Sequence, residues 1–101
     1  MQATIVRYTL KADRIDENVA FVRAVFAELA ARAPDGVHYA TFQADDGVSF
    51  THVALFDTDE ARGALGQTDA FKAFTADIGD RCESPPNAIT QELLGSYGVF
   101  G

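Results

Sequence analysis

Basic side chains are scarce in this chain: eight Lys and Arg stand against fifteen Asp and Glu, for a net charge of −7. That balance argues against a nucleic-acid or anionic-membrane partner, because either needs clustered positive charge, and the few basic residues are scattered. Cysteine occurs once, at Cys82, so no intrachain disulfide can form and nothing points to an oxidising compartment. No apolar run approaches the ~18 residues of a membrane-spanning helix. The opening MQATIVRYTL has neither a basic segment followed by a long apolar stretch nor a small-residue cleavage site, and a cytoplasmic location is expected. Metal-ligand clusters, phosphate loops, nucleophile motifs and repeats are also missing, so function has to be argued from a few polar residues.

What is present is a well-marked order of patterns. A chain of 101 residues reads as one domain, 1–101, large enough to bury roughly 65% of its extended surface around one core. Ala3 to Leu10 alternates as a strand. Ile15-Asp16 opens a helix to about Ala33, with Asp16 as N-cap and Val19, Val22, Val25, Phe26 and Leu29 as its apolar stripe. Pro34-Asp35-Gly36 stops it. Val37 to Ala44 and Val48 to Phe56 read as two strands joined through a three-residue turn, Asp45-Asp46-Gly47. Asp57 or Thr58 caps a short helix to about Leu65, Gly66-Gln67-Thr68 breaks it, and a second segment runs from Asp69 to about Arg81 with Phe71, Phe74 and Ile78 on one face. After Pro85-Pro86 comes a last strand, Asn87 to about Leu94, and a tail over 95–101. The βαββαβ order predicts an α+β, ferredoxin-like antiparallel sheet with its helices on one face.

Strand alternation then assigns side chains to faces. Val6, Tyr8 and Leu10, Val37, Tyr39 and Thr41, and Thr51, Val53 and Leu55 carry no charge and are expected to pack under the helices. The opposite set holds Ile5, Arg7, Thr9, His38, Ala40, Phe42, Phe50, His52, Ala54 and Phe56, a mixture of aromatic walls and a few polar groups suited to a ligand cavity. With a three-residue turn, Ala40 opposes His52 and the two histidines become diagonal neighbours about 7 Å apart. His52 is the candidate general base, since an imidazole titrates near neutral pH. Arg7 is the candidate oxyanion partner; Phe56, Phe42, Phe50 and His38 are candidate substrate contacts. Tyr8 and Tyr39 are expected to be packing residues. The apolar groups left on the uncovered face predict a homodimer formed sheet to sheet, and the Gly66-Gln67-Thr68 break is expected at the cavity mouth.

The element order, the strand end VALFDTDEA and the later TDAFKAF resemble the antibiotic biosynthesis monooxygenase (ABM) superfamily over nearly the whole chain. That resemblance implies a dimeric α/β barrel. It also implies a monooxygenase that oxidises a small aromatic or polyketide-like compound with molecular oxygen, without metal or flavin. Some quinone-forming members have asparagine where this chain has His52 and tryptophan where it has Phe56. Haem-degrading relatives carry a histidine after the phenylalanine matching Phe71, and Phe71-Lys72-Ala73-Phe74 has none. Other relatives on the scaffold isomerise lactones or have no known activity, and the alternative readings are a small-molecule-binding or accessory protein, or an isomerase or cyclase using the same histidine.

Overall fold

The structure, a computed structural model, describes residues 2–98 as β1 (Gln2–Thr9), α1 (Ile15–Arg32), β2 (Val37–Gln43), β3 (Ser49–Phe56), α2 (Asp59–Gly66), α3 (Asp69–Ala76), α4 (Ile78–Arg81) and β4 (Asn87–Glu92). All strand pairs are antiparallel, in the order β2-β3-β1-β4, which is the ferredoxin-like α+β arrangement that the pattern predicts. Of the expected tail, residues 99–101 lie outside the described residues.

Local chemistry sets the helix ends, with two departures from expectation. Asp16 lies inside the first turn of α1, where with Glu17 it opposes the positive end of the helix dipole; Arg14 occupies the cap position and pairs with Glu17 at 2.6 Å instead. The expected segment Asp69 to Arg81 is two helices, because Asp77 leaves helical geometry between α3 and α4. Thr58 and Thr68 cap α2 and α3 by accepting the backbone N–H groups of Ala61 and Phe71. After α1, Gly36 takes a φ of +77° and its carbonyl accepts Asp57 N–H at 2.9 Å; an added Cβ would meet Asp57 Cβ at 3.1 Å.

The β2–β3 hairpin overturns the expected register. Ala44 N–H donates to Ser49 O at 2.8 Å, so the loop has four residues, 45 to 48, and Thr41 rather than Ala40 stands opposite His52. Asp46 organises the loop: its carboxylate accepts Val48 N–H at 2.9 Å, Ser49 N–H at 2.8 Å and the Ser49 hydroxyl at 2.7 Å. Because side chains alternate every residue, a slip of one moves all of β3 to the other face. Phe50, His52, Ala54 and Phe56 therefore share the helix side with Val6, Tyr8, Val37, Tyr39 and Thr41, while Thr51, Val53 and Leu55 join Ile5, Arg7, His38, Ala40 and Phe42 on the bare side.

The core lies between the sheet and α1, α2 and α3. Tyr8, Leu10, Val25, Phe50, Ala54, Phe56, Ala61, Leu65, Phe74 and Cys82 are buried there, with Phe21, Val22, Leu29 and Phe71 packed around them. On the bare side Phe42 is 59% exposed and Ile89, opposite Ile5, 48%; Ala3 and Leu55 at one end are buried. No helix among the described residues is long and apolar enough to cross a membrane.

Candidate functional site

A cavity of about 250 Å³ opens between the sheet and the α2–α3 corner, lined by Thr4, Val6, Tyr39, His52, Ala54, Phe56, Arg62, Leu65, Gly66 and Phe71. The sheet supplies alternate residues of three adjacent strands, and the helices supply its roof. Its walls are largely apolar. Phe56 forms one side with the Arg62 guanidinium 5.1 Å from its ring centre, and Gly66, the last residue of α2, borders the space.

His52 is the polar centre of this wall and is 4% exposed. Both ring nitrogens are engaged: Nε2 lies 2.7 Å from the Tyr8 hydroxyl, and Nδ1 lies 2.7 Å from the Tyr39 hydroxyl and 3.1 Å from Thr41 Oγ1. Burial disfavours the charged ring and holds its pKa down at about 4, so at neutral pH the imidazole is uncharged. Burial also pushes Tyr8 up to about 12, against a lowering by its hydrogen bond from Asn18. Tyr39 moves the same way, again chiefly through burial, with neighbouring Tyr8 adding to it. All three groups are neutral near pH 7, which permits them to sit together in a poorly solvated pocket.

Behind Tyr8 the polar chain continues inward. Asn18 Nδ2 donates to the Tyr8 hydroxyl at 2.9 Å, and Arg81 Nε donates to Asn18 Oδ1 at 3.1 Å. Arg81 and Asn18 are fully buried. The guanidinium is held by the Phe74 carbonyl, 2.7 Å from Nη2, and lies 4.5 Å from the Phe21 ring centre and 5.4 Å from that of Phe74. Among the described residues no carboxylate pairs with it, and its Nη1 has no hydrogen-bond partner.

No model of a known protein family matches the sequence, and no curated protein matches it. Solved structures do. A Nitrosomonas europaea protein named as a candidate antibiotic biosynthesis monooxygenase superposes with a TM-score of 0.80, over 94% of this chain and 100% of that one, at 18% identity. The Mycobacterium tuberculosis protein Rv0793 does so with a TM-score of 0.78, over 94% and 96%, at 19% identity. A further structure named antibiotic biosynthesis monooxygenase gives 0.77, over 94% and 100%, at 14% identity. The chain shares its fold with these structures, among them ones named antibiotic biosynthesis monooxygenase. At such identities the likeness is one of backbone, and it assigns no role to a residue of this ABM-fold chain.

Of the six residues singled out from the sequence, the ABM-fold sheet brings only His52 and Phe56 to the cavity. Phe50 sits one layer away on the same face, stacked on Tyr8 with 5.5 Å between ring centres. Arg7, Phe42 and His38 are on the opposite face: Arg7 is exposed opposite Thr51 and Asn87, Phe42 is exposed, and His38 lies 3.1 Å from Asp57. The face reading that grouped them with His52 fails because it rests on the three-residue turn. The same slip hid Tyr8 and Tyr39, which share the face of His52. Asn18 and Arg81 were also missed, although both carry a signal: Asn18 falls on the Val22, Val25, Leu29 stripe of α1, and Arg81 continues the Phe74, Ile78 spacing. A polar residue on an apolar stripe is buried, and a buried polar residue needs a partner.

Proposed function

We propose that this protein is a cofactor-independent monooxygenase for a small aromatic or polyketide-like compound, acting as a cytoplasmic homodimer with 1–101 as one domain. The observation that supports it best is the pairing of buried His52 with part-buried Tyr39, both neutral, on the wall of an otherwise apolar cavity. A cavity of about 250 Å³ is smaller than the ~300 to 1,000 Å³ of most drug-sized sites, and favours a compact substrate of one or two rings.

Oxygenation without a cofactor requires an electron-rich substrate. A substrate with an acidic C–H beside a carbonyl or phenol loses that proton, the resulting carbanion gives its electrons to dioxygen, and the peroxide adduct collapses. For a methylene the reaction balances as one methylene and one dioxygen giving one carbonyl and one water. The protein's part is to exclude water with Phe56, Leu65 and Phe71 and to hold the substrate oxygen on the Tyr39–His52 pair, so that ionisation is easier in the site than in solution. Oxygen uptake with an anthrone or a hydroxynaphthalene tests the reading: uptake above the buffer rate, lost on removal of His52, supports it, and saturable binding with no uptake ends it.

A second reading, a non-catalytic binding or accessory protein, is favoured by a different observation. Both His52 nitrogens are occupied and its basicity is low, which makes it a poor direct proton acceptor. An isomerase or cyclase on the same cavity would turn over its substrate without consuming oxygen. The bare sheet face supports the homodimer, with Ile5, Val53, Phe42 and Ile89 as its apolar surface.

A further inference from the structure

The buried chain Arg81, Asn18, Tyr8, His52, Tyr39 has only one arrangement of protons that satisfies every link. Arg81 can only donate, so the Asn18 atom facing it is the carbonyl oxygen, and the amide nitrogen must face Tyr8. Tyr8 therefore accepts from Asn18. Its own proton has a single acceptor within reach, His52 Nε2. If Nε2 carried the hydrogen instead, the buried Tyr8 O–H would have no partner, a costly arrangement in this enclosed space. His52 then carries its proton on Nδ1 and donates it to the Tyr39 oxygen 2.7 Å away. Tyr39, which lines the cavity and has Thr41 alongside, is then left with its own hydroxyl proton to donate.

We propose that Tyr39 is the group that touches the ligand, donating a hydrogen bond to a carbonyl, enolate or phenolate oxygen, and that Asn18 and Arg81 are positioning residues that set the direction of this chain by fixing His52 as its Nδ1–H tautomer. The proposal rests on the cavity being a ligand site, as above. It reverses the simplest role for His52, from base to relay of a donor. The chain also allows complete proton transfer to a ligand oxyanion. Tyr39 gives its proton to the ligand, His52 Nδ1–H restores Tyr39, and Tyr8 gives its proton to His52 Nε2. Three O–H or N–H bonds break and three form; the negative charge moves from the ligand to the Tyr8 oxygen, beside Asn18 and next in line to the Arg81 cation. His52 ends neutral, as its Nε2–H tautomer. No imidazolium forms, in keeping with its low basicity.

Nitrogen-15 NMR of the unliganded protein near neutral pH tests the direction directly, because protonated and bare ring nitrogens give well-separated signals. His38→Asn removes the only other histidine and so assigns the spectrum. The expected result is a protonated Nδ1 and a bare Nε2 at His52; the opposite tautomer, or an even mixture, overturns the proposal whatever the variants do. Asn18→Asp keeps the shape but offers Tyr8 an acceptor, so Tyr8 turns its proton to residue 18 and His52 switches to Nε2–H. An Asn18→Asp protein that folds with the wild-type tautomer also overturns it. For the ligand end, Tyr39→Phe should weaken 2-hydroxynaphthalene binding about 10- to 100-fold and naphthalene binding about twofold or less. Equal losses, or binding of neither probe, overturn that half. The tautomer is read without substrate, so a failure of oxygen uptake alone leaves it standing.

Discussion

His38 and His52 lie on adjacent strands of one sheet and differ in nearly everything that decides chemistry. His38 is the second residue of β2, on the bare face, its side chain 33% exposed, beside the Asp57 carboxylate at 3.1 Å. His52 faces the helices, 4% exposed, between two tyrosine hydroxyls. One partner is charged and wet, the others neutral and dry. The difference does not come from the residue type or from local sequence; it comes from the parity of each strand against a four-residue loop. A histidine's role is thus fixed by which side of a sheet its register selects.

Exchange of the two histidines' side chains for inert ones is the strongest way to break this comparison. His52→Ala should lower oxygen uptake about 10²- to 10⁴-fold, the usual span for loss of a group in proton transfer, while His38→Asn stays within about twofold. Initial rates under air check both, and equal losses would show that the face assignment has no functional meaning.

Acid stability sharpens the contrast next. His52 is neutral in the fold down to about pH 4, whereas the unfolded chain takes up that proton near 6.5. Below 6.5 the unfolded state thus binds more protons, and stability contributed by the neutral ring falls as pH drops from 6.5 to 4, by about 3 kcal/mol in all. Denaturant titrations across that window should show the decline in the wild type and in His38→Asn, and a flatter curve in His52→Phe.

The loop that separates the two environments offers a smaller effect. Asp46→Ala removes the acceptor of three hydrogen bonds from an exposed turn and should lower the denaturation midpoint slightly at unchanged slope. The bare face should respond least in stability. Phe42→Glu is expected to convert a dimer of twice 10.9 kDa to a monomer in sedimentation without closing the cavity on the other face; a wild type that sediments as a monomer removes the dimer from the reading.

Much of the fold was legible because its signals are local. The apolar stripe of α1, the Pro34-Asp35-Gly36 stop, the Thr58 cap and the break ahead of Asp69 each act within a few residues, and the element order then leaves one antiparallel topology. The site was legible only in part because faces depend on pairing between strands. Asp45-Asp46-Gly47 looks like the whole turn, yet Asp46 accepts the amide of Val48 as well as that of Ser49 and draws Val48 into it. His52 and Phe56 were found by their chemistry, as an imidazole and an aromatic on one strand. Arg7, Phe42 and His38 were attached to them by a register one residue off. Asn18 and Arg81 meet across 63 positions of sequence, a separation at which only their misplaced polarity on apolar stripes gave notice.

Arg81 leaves the molecule with opposite signs inside and out. The chain carries a net charge of −7, while its interior holds the Arg81 cation with no carboxylate in ion-pair contact among the described residues, though Glu17 lies near enough to feel its charge. An anion approaching from solvent is repelled over the Debye length, yet an anion formed inside meets a positive interior that water barely screens. If the cavity takes a ligand as proposed, a neutral phenol or ketone meets no electrostatic penalty from that net charge and gains stabilisation only on ionising within.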